Sequence, residues 1–368
     1  MLRKIIQLLF FALLLTSIYF LNTTNPILRI DPLVNFTGSA ISGKIKFIVS
    51  FLLFFLIIFI FGNVFCDYIC PLRTCFDYAH LCFKHLRVQI KIKVFKKIKF
   101  IILAALILLL IFRKQFFFLL DPLVIFTRAI TLNSLLPVMI LLAIIILSGL
   151  SYRLWCNYLC PLGALISLFL ELRGKLLTTR KQTDFKRREF IKALFLLMPL
   201  QISVAIKTRR WQRLLRPPGS LKEELFLLGC LRCGACVKIC PTKVIEPASL
   251  NNGIYNFWSP KLNYEKSYCA FDLCFLCYKV CPTEVIRNPY GKKVKIGIAR
   301  VDREKCLVWS KNISCFICEE VCPKHAVYRA PGPAVNEELC VGCGLCENRC
   351  PATPQKAIVV YPEGEIRI

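Results

Sequence analysis

Long runs of apolar residues dominate the first half of the chain. Residues 5–21, 47–65, 100–112 and 136–155 are almost free of charged side chains. A helix that crosses a bilayer needs roughly 20 apolar residues. Buried core helices are the alternative, but too little polar sequence surrounds these runs to cover them. The pattern therefore predicts four membrane-spanning helices.

The first half also contains a duplication. The sequence DPLVNFT at 31–37 returns as DPLVIFT at 121–127, and CDYICPL at 66–72 returns as CNYLCPL at 156–162. Both pairs are offset by 90 residues, without a gap. Each repeat reads as a helix, an Asp-Pro turn, a second helix and a Cys-x3-Cys-Pro motif. Two crossings return the chain to its starting side, so the repeats are expected to be parallel, related by an axis along the membrane normal.

The basic residues predict which side of the membrane each loop faces. The formal net charge of +28 would suggest nucleic acid for a soluble protein, but the apolar runs argue against that partner. Loops 73–99 and 173–192 hold eight Lys and Arg residues each, whereas loops 22–46 and 113–136 hold three each. By the positive-inside rule, the N-terminus and both Cys-Pro motifs face the cytoplasm.

Two cysteine pairs follow from the duplication, each with a spacing of four residues. That spacing allows one helical face to present both members of a pair. Four thiolates are soft ligands, suited to an iron–sulfur cluster or zinc. Four separate buried thiols are the alternative. The predicted shared site consists of Cys66, Cys70, Cys156 and Cys160. Cys75 and Cys82 have no counterparts in the second repeat and are interpreted as structural.

Beyond residue 229 the cysteines form four quartets, each followed by proline. The first and fourth quartets have the spacing C-x2-C-x2-C-x3-C-P, while the first gap widens to four residues in the second quartet and eight in the third. In chain order the quartets are Cys230, Cys233, Cys236, Cys240; Cys269, Cys274, Cys277, Cys281; Cys306, Cys315, Cys318, Cys322; and Cys340, Cys343, Cys346, Cys350.

This spacing is typical of bacterial ferredoxins. Three cysteines of a motif bind one cubane, and the fourth, beside proline, binds the neighbouring cluster, so the motifs work in pairs. The prediction is four [4Fe–4S] clusters held in small β/α units, with short strands before the third and fourth quartets. Zinc ribbons and a disulfide framework are the alternatives, and both suit this spacing less well.

An export signal lies between the two halves. The sequence RREFIK, which begins with Arg187 and Arg188, matches the twin-arginine pattern R-R-x-F-L-K, with Ile191 in place of Leu. Twin-arginine signals are addresses for translocation, and this route moves folded proteins. A basic loop held inside by charge alone is the alternative reading. The 14-residue run 193–206 is then a short fifth crossing, and Ser203-Val204-Ala205 within it resembles a small-residue cleavage site.

Three domains and a cellular location follow. Residues 1–172 are an all-α membrane domain, made of two parallel two-helix repeats. Residues 173–206 are a basic loop with the export motif and the linking helix. Residues 207–368 are an α+β, ferredoxin-like polyferredoxin domain. The expected place is the bacterial inner membrane, with the N-terminus cytoplasmic and the ferredoxin domain periplasmic.

Both halves resemble known electron-transfer families. The first half resembles NapH, a membrane ferredoxin-type subunit with four helices and two C-x3-C-P motifs. Residues 186–368 resemble NapG and MauM, which carry a twin-arginine signal and four cluster motifs. The chain departs from NapH in having no ferredoxin motif between Leu162 and the arginine pair. The resemblance implies quinol oxidation and delivery of electrons to a periplasmic reductase or cytochrome.

Asp31 and Asp121 are the candidates for a quinone site. Carboxylates are rare at membrane depth and often functional there, and quinol oxidation needs a proton acceptor. The alternative is an Asp-Pro turn that starts the next segment. His80 and His85 are interpreted as surface residues of a basic loop, and His325 as a packing residue.

Other functions use the same parts. Electrons could flow in reverse, from a periplasmic dehydrogenase to quinone. The chain could also be a maturation factor for a periplasmic metalloenzyme, or a structural anchor. A thiol site near the cytoplasmic face would lie across about 30 Å of hydrocarbon from outer clusters. A quinone or a partner subunit would bridge that gap, or the inner site has another purpose.

The export prediction is tested by changing Arg187 and Arg188 to Lys. The substitution keeps the positive charge of the loop but removes the twin-arginine motif, so we expect the ferredoxin domain to stay protected from protease in spheroplasts. Accessibility of that domain from outside in the variant would contradict the export signal.

Overall fold

A computed structural model describes most of both halves of the chain. The described residues are 70–86, 98–111, 117–132, 135–151, 154–177, 213–271 and 273–368, with scattered positions between 7 and 66. They form two compact units, Met1–Arg210 with Leu231–Cys233, and Trp211–Cys230 with Gly234–Ile368. The predicted export motif with Arg187 and Arg188, and the apolar run 193–206, lie outside the described residues.

The described stretches of the first unit from residue 70 onwards are helical. Their elements are α1 Pro71–His85, α2 Ile98–Ile111, α3 Phe117–Leu120, α4 Pro122–Thr131, α5 Leu135–Leu150, a π-helical turn Trp155–Leu159, and α6 Pro161–Leu177. Proline begins α1, α4 and α6. The missing N–H of proline is no loss there, because the first N–H groups of a helix have no partner within it. Within the described stretches, no helix is both long and apolar enough to cross a membrane.

Helices α1 and α5 pack closely against each other. A Cβ atom on Gly149 would come within 2.7 Å of Phe83 Cδ2, so glycine allows this approach. His80 Nδ1 donates a hydrogen bond to Gly149 O at 3.0 Å. The interpretation of His80 as a surface loop residue is therefore wrong, because α1 continues to His85 and turns His80 towards α5.

A buried arginine organises the end of α4. Arg128 is 3% exposed, and its Nη2 donates to Phe118 O at 2.9 Å. The tripeptide Leu231–Cys233 belongs to the same unit, and Arg128 Nε donates to Arg232 O at 3.0 Å. The buried cation thus directs its donors at backbone carbonyl oxygens, as a charge removed from water requires.

The second unit consists of short elements, as the sequence predicts. Its helices are α7 Glu223–Gly229, α8 Ala235–Ile239, α9 Leu276–Lys279, α10 Leu307–Lys311, α11 Ile317–Glu320 and α12 Leu345–Arg349. Its strands are β1 Ile245–Pro247, β2 Pro260–Leu262, β3 Ile298–Val301, β4 Val327–Arg329, β5 Pro333–Val335 and β6 Ile358–Tyr361. The strands predicted before the third and fourth quartets are β3 and β5.

The strand pairing follows one rule in both halves of the second unit. The strand after an odd-numbered motif pairs with the strand before the next motif, as β1 pairs with β2 and β4 with β5. The segment before the odd motif pairs with the segment after the even one. This is the β3–β6 ladder in the second half and the Ser220–Ile286 bridge in the first. Each half is therefore a closed unit around two motifs.

An ion triad joins the two ends of the second unit. Glu223, at the start of α7, accepts from Arg216 and from Arg367 Nη1, the latter at 2.6 Å. Arg216 also donates to Asn256 Oδ1 and Ser259 Oγ, so its buried guanidinium is fully occupied. Burial acts to raise the pKa of Glu223, but Arg216 and Arg367 outweigh it and hold the pKa below its ordinary value.

We expect Glu223→Gln to destabilise the second unit strongly. The change leaves the buried guanidinium of Arg216 without its counter-ion, which typically costs about 3–5 kcal/mol, while Arg367 keeps Glu365 as a partner. The matched control is Glu363→Gln at the exposed Arg300–Glu363 pair, which is worth about 0–1 kcal/mol. The measurement is the midpoint of anaerobic thermal loss of cluster absorbance, at one scan rate.

The same triad predicts a pH dependence. Because the pKa of Glu223 is lowered on folding, its contribution is complete above the unfolded-state pKa of about 4.3. It is lost as the pH falls through the lower folded pKa.

Equal midpoints for Glu223→Gln and Glu363→Gln at pH 7 would contradict the structural role of the triad.

Candidate iron–sulfur sites

Three cavities in the second unit are each lined by four cysteines. In every case three cysteines come from one motif and the fourth is the proline-preceding cysteine of the paired motif. The sets are Cys269, Cys274, Cys277 with Cys240; Cys340, Cys343, Cys346 with Cys322; and Cys306, Cys315, Cys318 with Cys350. The structure thus brings together the sets that the crossing of the fourth ligand predicts.

The first quartet follows the same pattern by its pairing. Helix α8 of the first motif packs against α9 of the second, as α11 packs against α12. Thr283 Oγ1 donates to Gly229 O at 2.9 Å, which places the turn after Cys281 beside the residue that precedes Cys230. The motif pattern therefore assigns Cys281 as the fourth ligand of the first site.

The backbone of the motifs repeats as well. Lys243, Glu284 and His325 each lie three residues after the last cysteine of their motif, and each has a positive φ near 50°. This turn directs amide groups back at the sulfur atoms, and Ala326 N donates to Cys322 Sγ at 3.3 Å. N–H groups aimed at thiolate sulfur help to set cluster potentials. His325 is exposed at this turn, so its interpretation as a packing residue is wrong.

The cysteine thiols of these cavities suit a cationic cofactor, such as an iron–sulfur cluster, that binds them as thiolates. Burial, with Cys274 and Cys240 adding, raises the pKa of Cys277 to about 12. Burial, with Cys306 and Cys350 adding, raises the pKa of Cys318 to about 11. Thiols in such cages keep their protons until a cation compensates the negative charge. Assembly of a cluster therefore releases protons, as metal binding to cysteine generally does.

The cysteines of the two repeats also lie close together in the first unit. Cys70 is near enough to Cys66 and Cys156 to interact electrostatically, and Cys160 near enough to all three. Lys99 lies within electrostatic range of Cys160 and Cys66, and its Nζ donates to Ser167 Oγ at 2.9 Å. Along the sequence Lys99 is only one of the charges of loop 73–99, yet in the fold it is a cation beside the thiols.

The cysteine pairs do not share one α-helical face. Cys156 lies in the π-helical turn, whereas Cys160 is extended and immediately precedes α6. Cys70 is likewise extended before α1. Both precede proline, which disfavours the α conformation in the residue before it. Across the part of the chain that is described, no three His, Cys, Asp or Glu side chains are close enough to hold a single metal ion.

Asp31 and Asp121 are buried and meet each other. They are 0% and 1% exposed, and their side chains lie close enough to interact. Asp121 also caps α4, because its Oδ1 accepts from Leu123 N at 3.0 Å and Val124 N at 3.5 Å. The alternative reading of Asp121, as the turn that starts the next segment, is therefore correct for the backbone. It leaves room for a second role.

Known iron–sulfur families match both units. The family described as 4Fe-4S dicluster domain matches residues 229–285. A family described as 4Fe-4S binding domain matches 46–89 and 134–180, which carry the two Cys-x3-Cys-Pro motifs. Two further families of that description match 333–352 and 313–326. The prediction of iron–sulfur binding is confirmed.

Individual relatives agree with these families. The chain is 34% identical over 165 residues to the methylamine utilization ferredoxin-type protein MauM of Methylobacillus flagellatus, covering 40% of this chain and 68% of the relative. It is 32% identical over 167 residues to the ferredoxin-type protein NapG of Escherichia coli K12, covering 40% and 70%. NapF of the same organism is 29% identical over 157 residues, covering 40% and 88%.

No solved structure matches the chain. The predicted resemblance to NapG and MauM is confirmed by the relatives. The resemblance of the first half to NapH stays a prediction.

The crossing of ligands is tested with two double variants. Cys240→Ala with Cys274→Ala removes two ligands of one site, so we expect a loss of about four iron atoms per chain. Cys240→Ala with Cys236→Ala damages two sites, so about eight iron atoms are lost. Iron analysis of anaerobically purified protein measures both. The reverse order of losses would contradict the crossing.

Proposed function

Because this chain belongs to the ferredoxin-type iron–sulfur protein family that includes MauM and NapG, we propose that it oxidises quinol in the bacterial inner membrane and passes the electrons to a periplasmic redox partner. Electron transfer through [4Fe–4S] clusters is the shared property of this family, and the cysteine sets of the second unit suit it. Beyond this shared property we propose three things: quinol as the electron donor, the inner membrane as the location, and a periplasmic redox partner as the acceptor.

The buried Asp31–Asp121 pair carries the quinol proposal. Quinol releases two protons with its two electrons, so an oxidising site needs a proton acceptor. The two carboxylates occupy equivalent positions of the duplicated sequence and lie in the same unit as the four thiols. One carboxylate of the pair accepts a hydroxyl proton of quinol with each of the two electrons that leave, and it releases the first proton to solvent before it accepts the second.

Four thiols of the first unit would hold the electron acceptor. Cys66, Cys70, Cys156 and Cys160 would bind an iron–sulfur cluster, which supplies one-electron transfer when it is bound. Gly163 N donates to Cys160 Sγ at 3.3 Å, and the nearby Lys99 offsets part of the negative charge of four thiolates. Sixteen cysteines of the four quartets would hold four more clusters.

The surface of α5 supports a lipid environment. Leu135, Met139, Leu142 and Ile146 are exposed at helical spacing on one side, and α5 contains no charged residue. Exposed apolar surface of this extent marks a membrane or protein interaction site. A lipid environment also agrees with the excess of basic residues in two of the loops. The lipid-facing side and the proton-accepting pair together favour quinol as donor over a soluble reductant.

We expect Asp121→Asn to slow quinol oxidation roughly 10²- to 10⁴-fold, the range in which positioned general bases typically contribute. Asparagine caps helices about as well as aspartate, so α4 keeps its start while the proton acceptor is lost. The measurement is anaerobic stopped-flow bleaching of cluster absorbance by a menaquinol analogue. Asp302→Asn, at a surface carboxylate of the second unit, is the control.

Normal rates in both Asp121→Asn and Asp31→Asn, with intact clusters, would contradict the role of the carboxylate pair. Absence of quinol oxidation in the unchanged protein, with clusters that dithionite still reduces, would favour the maturation role instead.

A further inference from the structure

The two halves of the second unit meet at the second and fourth cysteine motifs. Cys269 N donates to Cys343 O at 2.9 Å. Both residues line four-cysteine cavities, Cys269 that of the second motif and Cys343 that of the fourth. A single backbone hydrogen bond therefore links a ligand of one site directly to a ligand of another, across the two halves.

Tyr264 reinforces this junction. Its hydroxyl donates to Gly342 O at 2.6 Å, next to Cys343. Its own carbonyl accepts from Asn348 Nδ2 at 3.0 Å. The side chain is buried. The segment 264–269, which leads into the second motif, is thus held on the fourth motif by three hydrogen bonds.

The fourth motif is shaped to receive the tyrosine ring. Gly344 has φ +78°, and a Cβ atom there would come within 2.2 Å of Tyr264 Cδ1. Any other residue at 344 would displace the ring. In the first motif the equivalent glycine, Gly234, has the same φ of +78°. The left-handed turn belongs to the motif, and the fourth motif uses the space to seat Tyr264.

We infer that the four sites of the second unit are arranged in the order first, second, fourth, third, and that Tyr264 is the positioning residue of the central step. Motif pairing makes the first and second sites neighbours, and likewise the third and fourth. The Cys269–Cys343 hydrogen bond makes the second and fourth neighbours. The first and third sites are then the two ends of the array.

This order differs from the order along the chain. A wire in chain order would place the second site beside the third, but the junction residues belong to the fourth. The electrons of a partner would accordingly be exchanged at the first and third sites. The inferred order of sites rests on the proposed function only in requiring that the second unit binds iron–sulfur clusters. It holds for either direction of electron flow and for any donor.

Two variants, both in a Cys156→Ser background that removes the first-unit site, keep two second-unit sites each and test the order. Cys236→Ala with Cys315→Ala leaves the second and fourth sites, and Cys236→Ala with Cys340→Ala leaves the second and third. Both are reduced with dithionite, checked by iron analysis, and compared by low-temperature EPR. We expect spin–spin splitting in the first variant and uncoupled signals in the second. Splitting only in the second variant would overturn the order.

Tyr264→Phe tests the positioning role in the full chain, where no ligand is lost. Removal of the hydroxyl frees Gly342 O, so we expect a changed spin–spin splitting in the fully reduced protein at unchanged iron content. Tyr328→Phe, at a tyrosine that is 48% exposed, is the matched control and leaves the spectrum unchanged. Identical spectra for Tyr264→Phe and the unchanged protein would overturn the assignment of Tyr264. Because dithionite is the reductant, failure of quinol oxidation does not affect either result.

Discussion

The crossing of one cysteine from each motif into the cavity of its pair is the constraint on which the second unit depends. A cavity that needs ligands from two motifs cannot be completed until both motifs have folded together. The strand pairing is consistent with this requirement, because β1 with β2 and β3 with β6 join the segments on either side of paired motifs. The short helices and strands have little stability of their own. We therefore expect cluster assembly and folding to be coupled here.

In the first unit, proline follows the second cysteine of each pair. Pro71 and Pro161 begin helices, and they hold Cys70 and Cys160 in extended conformation at the helix starts. The duplication then brings equivalent residues into one neighbourhood, four thiols in one place and two carboxylates in another. Because the segment is present twice, one cysteine pair and one aspartate per copy supply four thiols and two carboxylates. The duplication thus accounts for the meeting of two buried carboxylates and of four thiols in the first unit.

Cysteine spacing predicted much of the second unit, because ferredoxin chemistry dictates spacing within a motif and the pairing of motifs. The short strands at β3 and β5 were predictable for the same reason. Tyr264 was not predictable, since its role arises from a partner 78 residues away. Lys99 and Arg128 read as loop charges along the chain, and only the packing of α2 and α4 gives them neighbours. The sequence predicts His80 in a loop because the C-terminal end of α1 is not evident from it. The α-helical face predicted for Cys156 and Cys160 is replaced by a π-helical turn.

We propose that electrons enter these clusters from quinol by way of the duplicated cysteine site. Its most direct test mixes the oxidised, anaerobically purified protein with a menaquinol analogue and follows the clusters by visible bleaching and low-temperature EPR. We expect rapid reduction in the unchanged protein and its loss when Cys156 is changed to Ser, with the second-unit clusters still reducible by dithionite. Reduction by quinol at the normal rate in the Cys156→Ser protein would contradict it.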